Sequence, residues 1–342
     1  MLTQATLEQY LVLASKAPSA HNAQPWQVHY NIEQQLIEIY LNEANVPSVS
    51  DSTKRQSIIS VGCFLANLML ILRDNDHSFK LHLNEFSTNE TTYLAKLELL
   101  DGQSIQPSLP FELDKCLKKG LSSQILNRHN DRGAYAKEDI ESRVNDVTGQ
   151  YLAFCHSAGL HLTAAIDQKI INRLGELTAK AMSMIFALDS SREELKHFVA
   201  SVEDENTTRK MQLRSLSLST IGSVDRWLNS PETVQRESTF WKESIESGPA
   251  ILCISGETDL RQDWLLVGIV LELLLLEFTA LGYCHSIWAS LVEIPPMVPL
   301  LKEALGVHSR PLALFRVGRP IAPMVRTSQR ANITSFAKQM IL

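Results

Sequence analysis

The chain has 342 residues, of which 44% are hydrophobic and 20% charged, and its formal net charge at pH 7 is −6. This composition is typical of a soluble globular protein and excludes disorder of the whole chain, while the negative charge gives no electrostatic reason to bind nucleic acid or an anionic membrane. We therefore expect a small-molecule partner.

Cysteine spacing and the N-terminal composition indicate the compartment. The five cysteines are widely spaced and form no Cys-x-x-Cys pair, which argues against a disulfide framework and against a zinc site. The first basic residue is Lys16, and no long apolar run precedes it, so the N-terminus does not resemble a secretory signal. The prediction is a cytoplasmic protein without a metal site.

The first part of the chain has the pattern of a helix, a hairpin, a second helix and two more strands. Apolar residues at helical spacing predict a first helix that ends at Ala17 and Pro18, because proline lacks an N–H and crowds the preceding turn. Gly62 lies inside the second helix, where glycine costs stability relative to alanine, so we expect a close approach by another backbone. The other predicted elements are strands over 27–30, 36–41, 79–86 and 92–100 and a helix from Lys54 to Leu72.

A linker is predicted over 101–110, which contains a glycine and two prolines. Within the helical pattern that runs from Asp167 to about Trp241, the stretch 190–246 is too polar for a core element and too long for a simple connection, which predicts a helical lid. The remaining predicted elements are helices over 117–127, 137–158 and 263–281 and strands over 160–165, 250–255 and 312–317.

The helix predicted over 263–281 is the most apolar in the chain. Glu272 and Glu277 interrupt it, which leaves apolar runs well below the roughly 20 residues that a membrane span requires, so we expect a buried helix. It resembles the helix that begins at Lys54, since each is long, carries an internal glycine (Gly268 and Gly62) and precedes a short strand. This is a weak internal repeat, visible in pattern but hardly in identity.

The segment Ala17–Trp26, which reads APSAHNAQPW and is called the elbow below, gathers polar side chains at the end of the first helix. Without further information it fits an ordinary helix-to-strand turn as well as a binding site. Trp26 leads into a strand, and a large aromatic at such a position is more often a core residue.

The elbow resembles the APS-x-x-N-x-QPW motif of the flavin-dependent nitroreductase family. Arg128–Arg132 (RHNDR) resembles the Arg-rich FMN-binding element of that family, and Pro311–Arg319 (PLALFRVGR) resembles its closing strand. The elbow precedes the Arg-rich element, the reverse of the usual order, and this is similar to the long, two-lobed members of Acg type, as is the segment from Asp51 to Gly62. The resemblance implies a nitroreductase-like α+β fold with two degenerate copies in one chain, a pseudo-dimer of the lobes 1–105 and 111–342, and the internal repeat agrees with it. The helical lid over 190–246 is predicted from composition alone.

The resemblance also implies the residues that bind FMN. Pro18, Ser19 and Ala20 would lie along the dimethylbenzene side or the ribityl chain, with Asn22 hydrogen-bonding nearby. Arg128 would bind the phosphate and Arg132 the ring edge near N1 and O2, where a cation favours the reduced flavin. The other residues implied are His129 and Asn130 between these arginines and a second phosphate cation after the closing strand, for which the candidates are Arg319, Arg326 and Arg330, with Arg330 preferred.

Alternative interpretations remain open for these residues. The segment from Arg128 to Arg132 is also compatible with an exposed charged turn paired with Asp131 and Asp139. His21 would be a proton donor if it faced the flavin, although a lone histidine near a turn is more often a surface group.

The predicted function is transfer of hydride from NAD(P)H through FMN to a small acceptor such as a nitroaromatic or a quinone. No dinucleotide-binding, Walker, serine-hydrolase or zinc-protease motif competes with it, and flavin chemistry needs no acid–base pair. The alternatives are a protein that sequesters FMN beneath a closed lid and a degenerate member that has lost FMN. The expected assembly is a monomer with an internal pseudo-dimer, or a homodimer.

Overall fold

The computed structural model describes residues 2–84, 92–100, 111–200, 207–211, 223–322 and 328–340. The predicted linker 101–110 lies outside these ranges, as do parts of the predicted lid. Helices and strands are both well represented in the described ranges, which confirms the α+β class.

The first part of the chain follows the predicted order of elements. Its elements are α1 (Gln4–Ala14), β1 (Trp26–Asn31), β2 (Leu36–Leu41), α2 (Arg55–Asp74), β3 (Ser78–Leu83) and β4 (Tyr93–Leu100). Helix α1 ends at Ala14 rather than at Ala17, because the amides of Lys16 and Ala17 bond to carbonyl groups three residues back instead of four. The carbonyls of the residues after α1 are therefore available to other donors.

The second part of the chain, from residue 111 onward, contains more helices than strands. Its elements are α3 (Phe111–Cys116), α4 (Glu141–Gly149), α5 (Leu152–Ser157), β5 (Leu160–Ala165), α6 (Gln168–Ala187), α7 (Asp189–Phe198), α8 (Val224–Asn229), α9 (Pro231–Ser247), β6 (Ala250–Gly256), α10 (Arg261–Ala280), β7 (Cys284–Ile287), α11 (Ser290–Glu293), α12 (Met297–Leu305), β8 (Arg310–Gly318) and β9 (Ala337–Gln339).

Two predicted helices are wrong in extent. The stretch 117–127 contains only the 3-10 turn Leu121–Gln124, because Gly120 adopts a left-handed conformation (φ 88°) and its amide bonds to the carboxylate of Asp74. The helix predicted over 137–158 begins at Glu141 and is divided in two near Gln150.

The strands form two sheets, one of five strands in the order β3-β4-β2-β1-β9 and one of four in the order β5-β6-β8-β7. Every pairing is antiparallel except that of β9 with β1, which places Ala337 beside Val28 in parallel register. The last described strand of the chain thus completes the sheet built by the first residues. The division into lobes 1–105 and 111–342 stays a prediction, and β9 joins the first sheet although it belongs to the second of these lobes.

Helices α2 and α10, each of 20 residues, cross at two glycines in the core. A Cβ atom on Gly62 would lie 2.2 Å from the carbonyl oxygen of Leu265 and 2.8 Å from Cα of Gly268. The close backbone approach predicted at Gly62 is therefore confirmed. One hydrophobic cluster contains both helices and residues of both sheets, so the two halves share a core.

Both helices are long and apolar. Helix α2 is long and apolar enough to cross a membrane, but 94% of the stretch that meets this criterion is buried inside the protein. Helix α10 is buried as predicted, and Glu272 within it is fully buried. The apolar character of each helix is accounted for by burial against the other.

Candidate functional site

The elbow has an unusual backbone. His21, Asn22 and Gln24 all have positive φ angles (53°, 60° and 53°), a conformation that residues other than glycine seldom adopt. The fold holds them there through side chains: the Oγ atom of Ser19 accepts from the amide of Gln24 at 3.1 Å, and the amide of Ala20 donates to Oγ of Ser60 on α2 at 3.4 Å. Three such residues within four positions are a strained cluster of the kind found at functional sites.

Trp26 at the end of the elbow is a core residue. Its side chain is fully buried and stacks on Phe64 of α2 with ring centroids 5.2 Å apart. The structural role predicted for Trp26 is confirmed.

Arg330 lies against the carbonyl groups that follow α1. Its Nε atom donates to the carbonyl oxygen of Ser15 at 2.8 Å, and its Nη2 atom donates to those of Lys16 and Ala17 at 3.1 and 3.2 Å. Nη1 donates to Oδ1 of Asn22 at 3.0 Å. A cation is stabilised at the C-terminal end of a helix by the exposed carbonyl groups, so α1 and the elbow together position this guanidinium.

Arg128 reaches the same place from the other part of the chain. Only 7% of the residue is exposed, so the alternative of an exposed charged turn is wrong for this residue. Its Nη2 atom donates to the carbonyl oxygen of Lys16 at 2.6 Å, the same oxygen that accepts from Arg330. Two guanidinium groups from distant segments thus meet at one carbonyl oxygen beside the elbow.

The counter-charge to these arginines is Glu272 in the middle of α10. Nε of Arg128 lies 3.2 Å from Oε1 of Glu272, close enough for an ion pair, although the N–H does not point at that oxygen. Burial raises the pKa of Glu272, and the charge of Arg128 opposes that shift. Burial lowers the pKa of Arg330 to about 10, with a further contribution from the neighbouring charge of Arg128. Two cations face one buried carboxylate, which leaves an excess of positive charge suited to an anion.

His285 on β7 completes this cluster. Its Nε2 atom lies 3.4 Å from Nη1 of Arg128, and burial together with the charge of Arg128 lowers the pKa of His285 well below the ordinary histidine value. The ring is therefore neutral and adds no further positive charge.

Arg132 contacts α9 and the segment 207–211. Its guanidinium stacks over the ring of Trp241, with Cζ 5.3 Å from the centroid, and Nη2 lies 3.6 Å from the sulfur of Met211. Within the part of the chain that the structure describes, the buried Nε atom of Arg132 and the buried Nδ1 atom of His21 have no hydrogen-bond partner. Burial lowers the pKa of both groups, that of His21 to about 4. Unsatisfied buried donors and acceptors of this kind fit a polar ligand.

Residues 207–211 lie directly on the elbow. The amide nitrogen Nδ2 of Asn22 donates to the carbonyl oxygens of Thr208 and Lys210, each at 3.2 Å. In return, Nη1 of Arg209 donates to the carbonyl oxygens of Ala23 and Gln24, each at 2.8 Å. Part of the segment predicted as a lid therefore contacts the elbow.

The structure gives the remaining predicted site residues other contacts or other surroundings. His129 faces Cys284, with Nε2 3.3 Å from Sγ, and Oδ1 of Asn130 accepts from the amide of Ile287 at 2.9 Å. Arg319 is half exposed, lies 3.5 Å from Glu138 and stacks over the ring of Tyr283, with Cζ 4.6 Å from the centroid. Pro18 is partly buried in the elbow, and Arg326 lies outside the described residues.

Several residues that shape the site were not predicted from the sequence. Arg316 on β8 is fully buried, stacks 3.9 Å from the ring centroid of Tyr135, and holds the carbonyl groups of Asp131 and Gly133, which fixes the Arg-rich segment. In the sequence, Glu272 is recognisable as a charge within an apolar helix, but the local pattern does not identify its partner. No sequence feature indicated a role for Arg209 or His285.

No protein-family model matches the chain. Curated relatives nevertheless match almost all of it. The "Probable NAD(P)H nitroreductase PigM" of Serratia sp. is 21% identical over 338 residues, which cover 95% of this chain and 91% of PigM. The candidate NAD(P)H nitroreductase Rv3131 of Mycobacterium tuberculosis is 24% identical over 331 residues, which cover 92% of this chain and 85% of that protein.

Solved structures with some likeness were also found. A candidate nitroreductase from Anabaena variabilis has 11% sequence identity and a TM-score of 0.41, and the match covers 93% of this chain and 88% of that chain. The FMN-dependent nitroreductase NfnB from Mycobacterium smegmatis, in complex with NADPH, has 17% identity and a TM-score of 0.37, covering 59% of this chain and 88% of that chain.

Proposed function

We propose that this chain, a nitroreductase-family protein, is an FMN-dependent oxidoreductase that passes hydride from NAD(P)H to a small acceptor such as a nitroaromatic or a quinone. The observation that carries the proposal is the meeting of Arg128 and Arg330 at the carbonyl oxygen of Lys16, next to the elbow. The sequence motif and this geometry both support a cofactor site beside the elbow.

The residues present fit the phosphate of FMN. A phosphate monoester carries close to two negative charges and needs cations with several N–H donors, which two guanidinium forks supply. In the described structure these forks donate to carbonyl groups and face the carboxylate of Glu272. We propose that the phosphate takes over part of these bonds, with Asn22 keeping Arg330 in place through Oδ1.

Arg132 and His21 fit the ring portion of the cofactor. The buried Nε atom of Arg132 has no partner among the described residues, and its positive charge would stabilise negative charge at the ring edge. When bound, FMN supplies the acceptance and donation of hydride. The chain would orient the ring with the elbow, place a cation at its edge, and exclude water with residues 207–211.

The test is FMN affinity of Arg128→Ala. Loss of a charge-assisted hydrogen bond removes about 1.5–3 kcal/mol, which corresponds to a roughly ten- to hundredfold weaker Kd. Arg319→Ala is the matched control, since Arg319 is a half-exposed arginine that pairs with Glu138 and stacks on Tyr283. Titration of apoprotein with FMN, followed by quenching of flavin fluorescence, measures both. Equal affinity of Arg128→Ala and the wild type would contradict the assigned phosphate site.

A second candidate function, sequestration of FMN with little or no turnover, is favoured by the contacts of Arg209 with the elbow. The two functions differ in their response to reductant. Bleaching of the yellow wild-type protein by NADH or NADPH in the absence of oxygen supports the enzyme. If the wild type stays yellow and only the Arg209→Ala variant bleaches, the result supports sequestration. A colourless protein that FMN does not reconstitute would overturn both functions.

The division into two lobes enters the proposal as well. The elbow belongs to the predicted lobe 1–105, whereas Arg128 and Arg330 belong to the predicted lobe 111–342, so the site would lie between two degenerate copies in one chain. We propose a monomer with this internal pseudo-dimer, acting in the cytoplasm. Sedimentation analysis of the purified protein tests the oligomeric state.

A further inference from the structure

A group of three potential metal ligands lies behind the Arg-rich segment. One ligand atom each from His129, Asp131 and Cys284 lies within 4.8 Å of the other two, and Nε2 of His129 is 3.3 Å from Sγ of Cys284. We propose that these three side chains bind a single zinc-type divalent transition metal ion. The proposal does not depend on the binding of FMN.

The histidine is oriented as a metal ligand. Nδ1 of His129 lies 3.0 Å from the carbonyl oxygen of Asn127, an acceptor, so the ring proton resides on Nδ1. The lone pair of Nε2 then faces Cys284. Histidines that bind metals commonly donate their other ring N–H to a carbonyl group in this way, which fixes the tautomer.

The aspartate provides the second observation. Asp131 is 1% exposed, and its Oδ1 atom accepts from the amide of Gly133 at 2.7 Å. Its Oδ2 atom is buried and has no hydrogen-bond partner among the described residues. An unpartnered buried carboxylate oxygen is costly, and coordination to a cation would satisfy it.

The ligand set suits zinc in chemistry and size. Thiolate, imidazole and carboxylate are the ligands that Zn²⁺ takes in proteins, and a thiolate with a carboxylate balances its charge. Bonds of about 2.0–2.3 Å place ligand atoms roughly 3.5 Å apart around a tetrahedral ion, so the group needs to contract by only about 1 Å. His129 is partly exposed, which leaves room for ion entry and for water as a fourth ligand.

A metal ion at this position would tie the Arg-rich segment to β7. His129 and Asp131 lie between Arg128 and Arg132, the two cations proposed to bind FMN, while Cys284 precedes His285 on β7. The sequence predicted no metal site because its cysteines show no ligand spacing. Here the cysteine lies far along the chain from the other two ligands, so local spacing carries no signal.

Co²⁺ titration of FMN-free, metal-free protein tests the proposal. We expect about one Co²⁺ per chain with the intense thiolate-to-cobalt absorption band, and displacement of that band by Zn²⁺. Cys284→Ala should abolish the band, whereas Cys116→Ala, which removes a comparably buried thiol, should keep it. Asp131→Asn should weaken binding at least about tenfold.

His129→Ala provides a test should Cys284→Ala fail to fold, because the histidine is partly exposed and its loss leaves the core intact. It should weaken Co²⁺ binding by at least about tenfold. The proposal would be overturned by a titration of the wild type without a thiolate band, by a band that persists in Cys284→Ala, or by unchanged affinity in His129→Ala. Flavin affinity is measured separately, so failure of the FMN site leaves this result interpretable.

Discussion

Replacing Gly268 by alanine is expected to destabilise the protein, although alanine is the better helix former. The new Cβ atom would lie 2.1 Å from the carbonyl oxygen of Ile59 and 2.7 Å from Cα of Gly62. Both neighbours are backbone atoms of α2, so no side-chain rotation relieves the overlap. The two helices must move apart at their crossing point.

The magnitude follows from the size of that movement. Carbon atoms pack at about 3.5–4.0 Å, so the local separation is roughly 1.5 Å, and a gap of even 0.5–1 Å forfeits a quarter to a half of the dispersion energy of each contact. Overpacking typically costs about 1–3 kcal/mol, and this backbone overlap belongs at or above the upper end. The higher helix propensity of alanine offsets about 1 kcal/mol of this destabilisation. We expect a net loss of about 2 kcal/mol or more.

Urea unfolding provides the assay, with Gly149→Ala as the control. A Cβ atom on Gly149, at the end of α4, would meet no atom within 4 Å, so that variant should be as stable as the wild type or slightly more stable. Gly268→Ala should unfold at a lower urea concentration with a similar slope. Equal midpoints for the two variants would refute the reasoning. The double variant Gly62→Ala/Gly268→Ala should lose less than the sum of the single variants, since the first substitution already separates the helices.

Further predictions concern the charged residues around the elbow. Glu272→Gln should bind FMN more tightly than the wild type, because the phosphate would no longer compete with a carboxylate for Arg128; unchanged affinity in a fluorescence titration would count against that competition. His21 has a pKa lowered to about 4 in the folded protein against an ordinary value of 6.5, so only the unfolded chain takes up a proton as the pH falls through this window. Stability should therefore fall by up to about 2 kcal/mol between pH 7 and pH 5, and His21→Gln should lack this contribution in urea unfolding at the two pH values.

Elements with strong local patterns were predictable from the sequence. Alternation and helical spacing located the hairpin of β1 and β2 and the two long apolar helices, and Gly62 indicated a close backbone contact because a mid-helix glycine otherwise only costs stability. The helix expected over 117–127 fails at Gly120, whose left-handed conformation is supported by Asp74 from α2. That support comes from a distant residue and leaves no local pattern.

The candidate site was likewise predictable only where its residues lie in a local sequence motif. The elbow motif indicated Asn22, and the Arg-rich segment indicated Arg128, but the geometry that joins them depends on carbonyl groups after α1 that have no sequence signature. Glu272 was visible only as a charge in an apolar helix. Its role as the counter-ion of Arg128 requires the packing of α10 against that segment.

The parallel pairing of β9 with β1 has a consequence for synthesis of the protein. Strand β1 leaves the ribosome about 300 residues before its partner Ala337–Gln339. Until β9 has been synthesised, a nascent first sheet would expose an unpaired edge at β1, and such edges recruit other chains. Shielding of this edge during synthesis therefore depends on something other than its native partner strand.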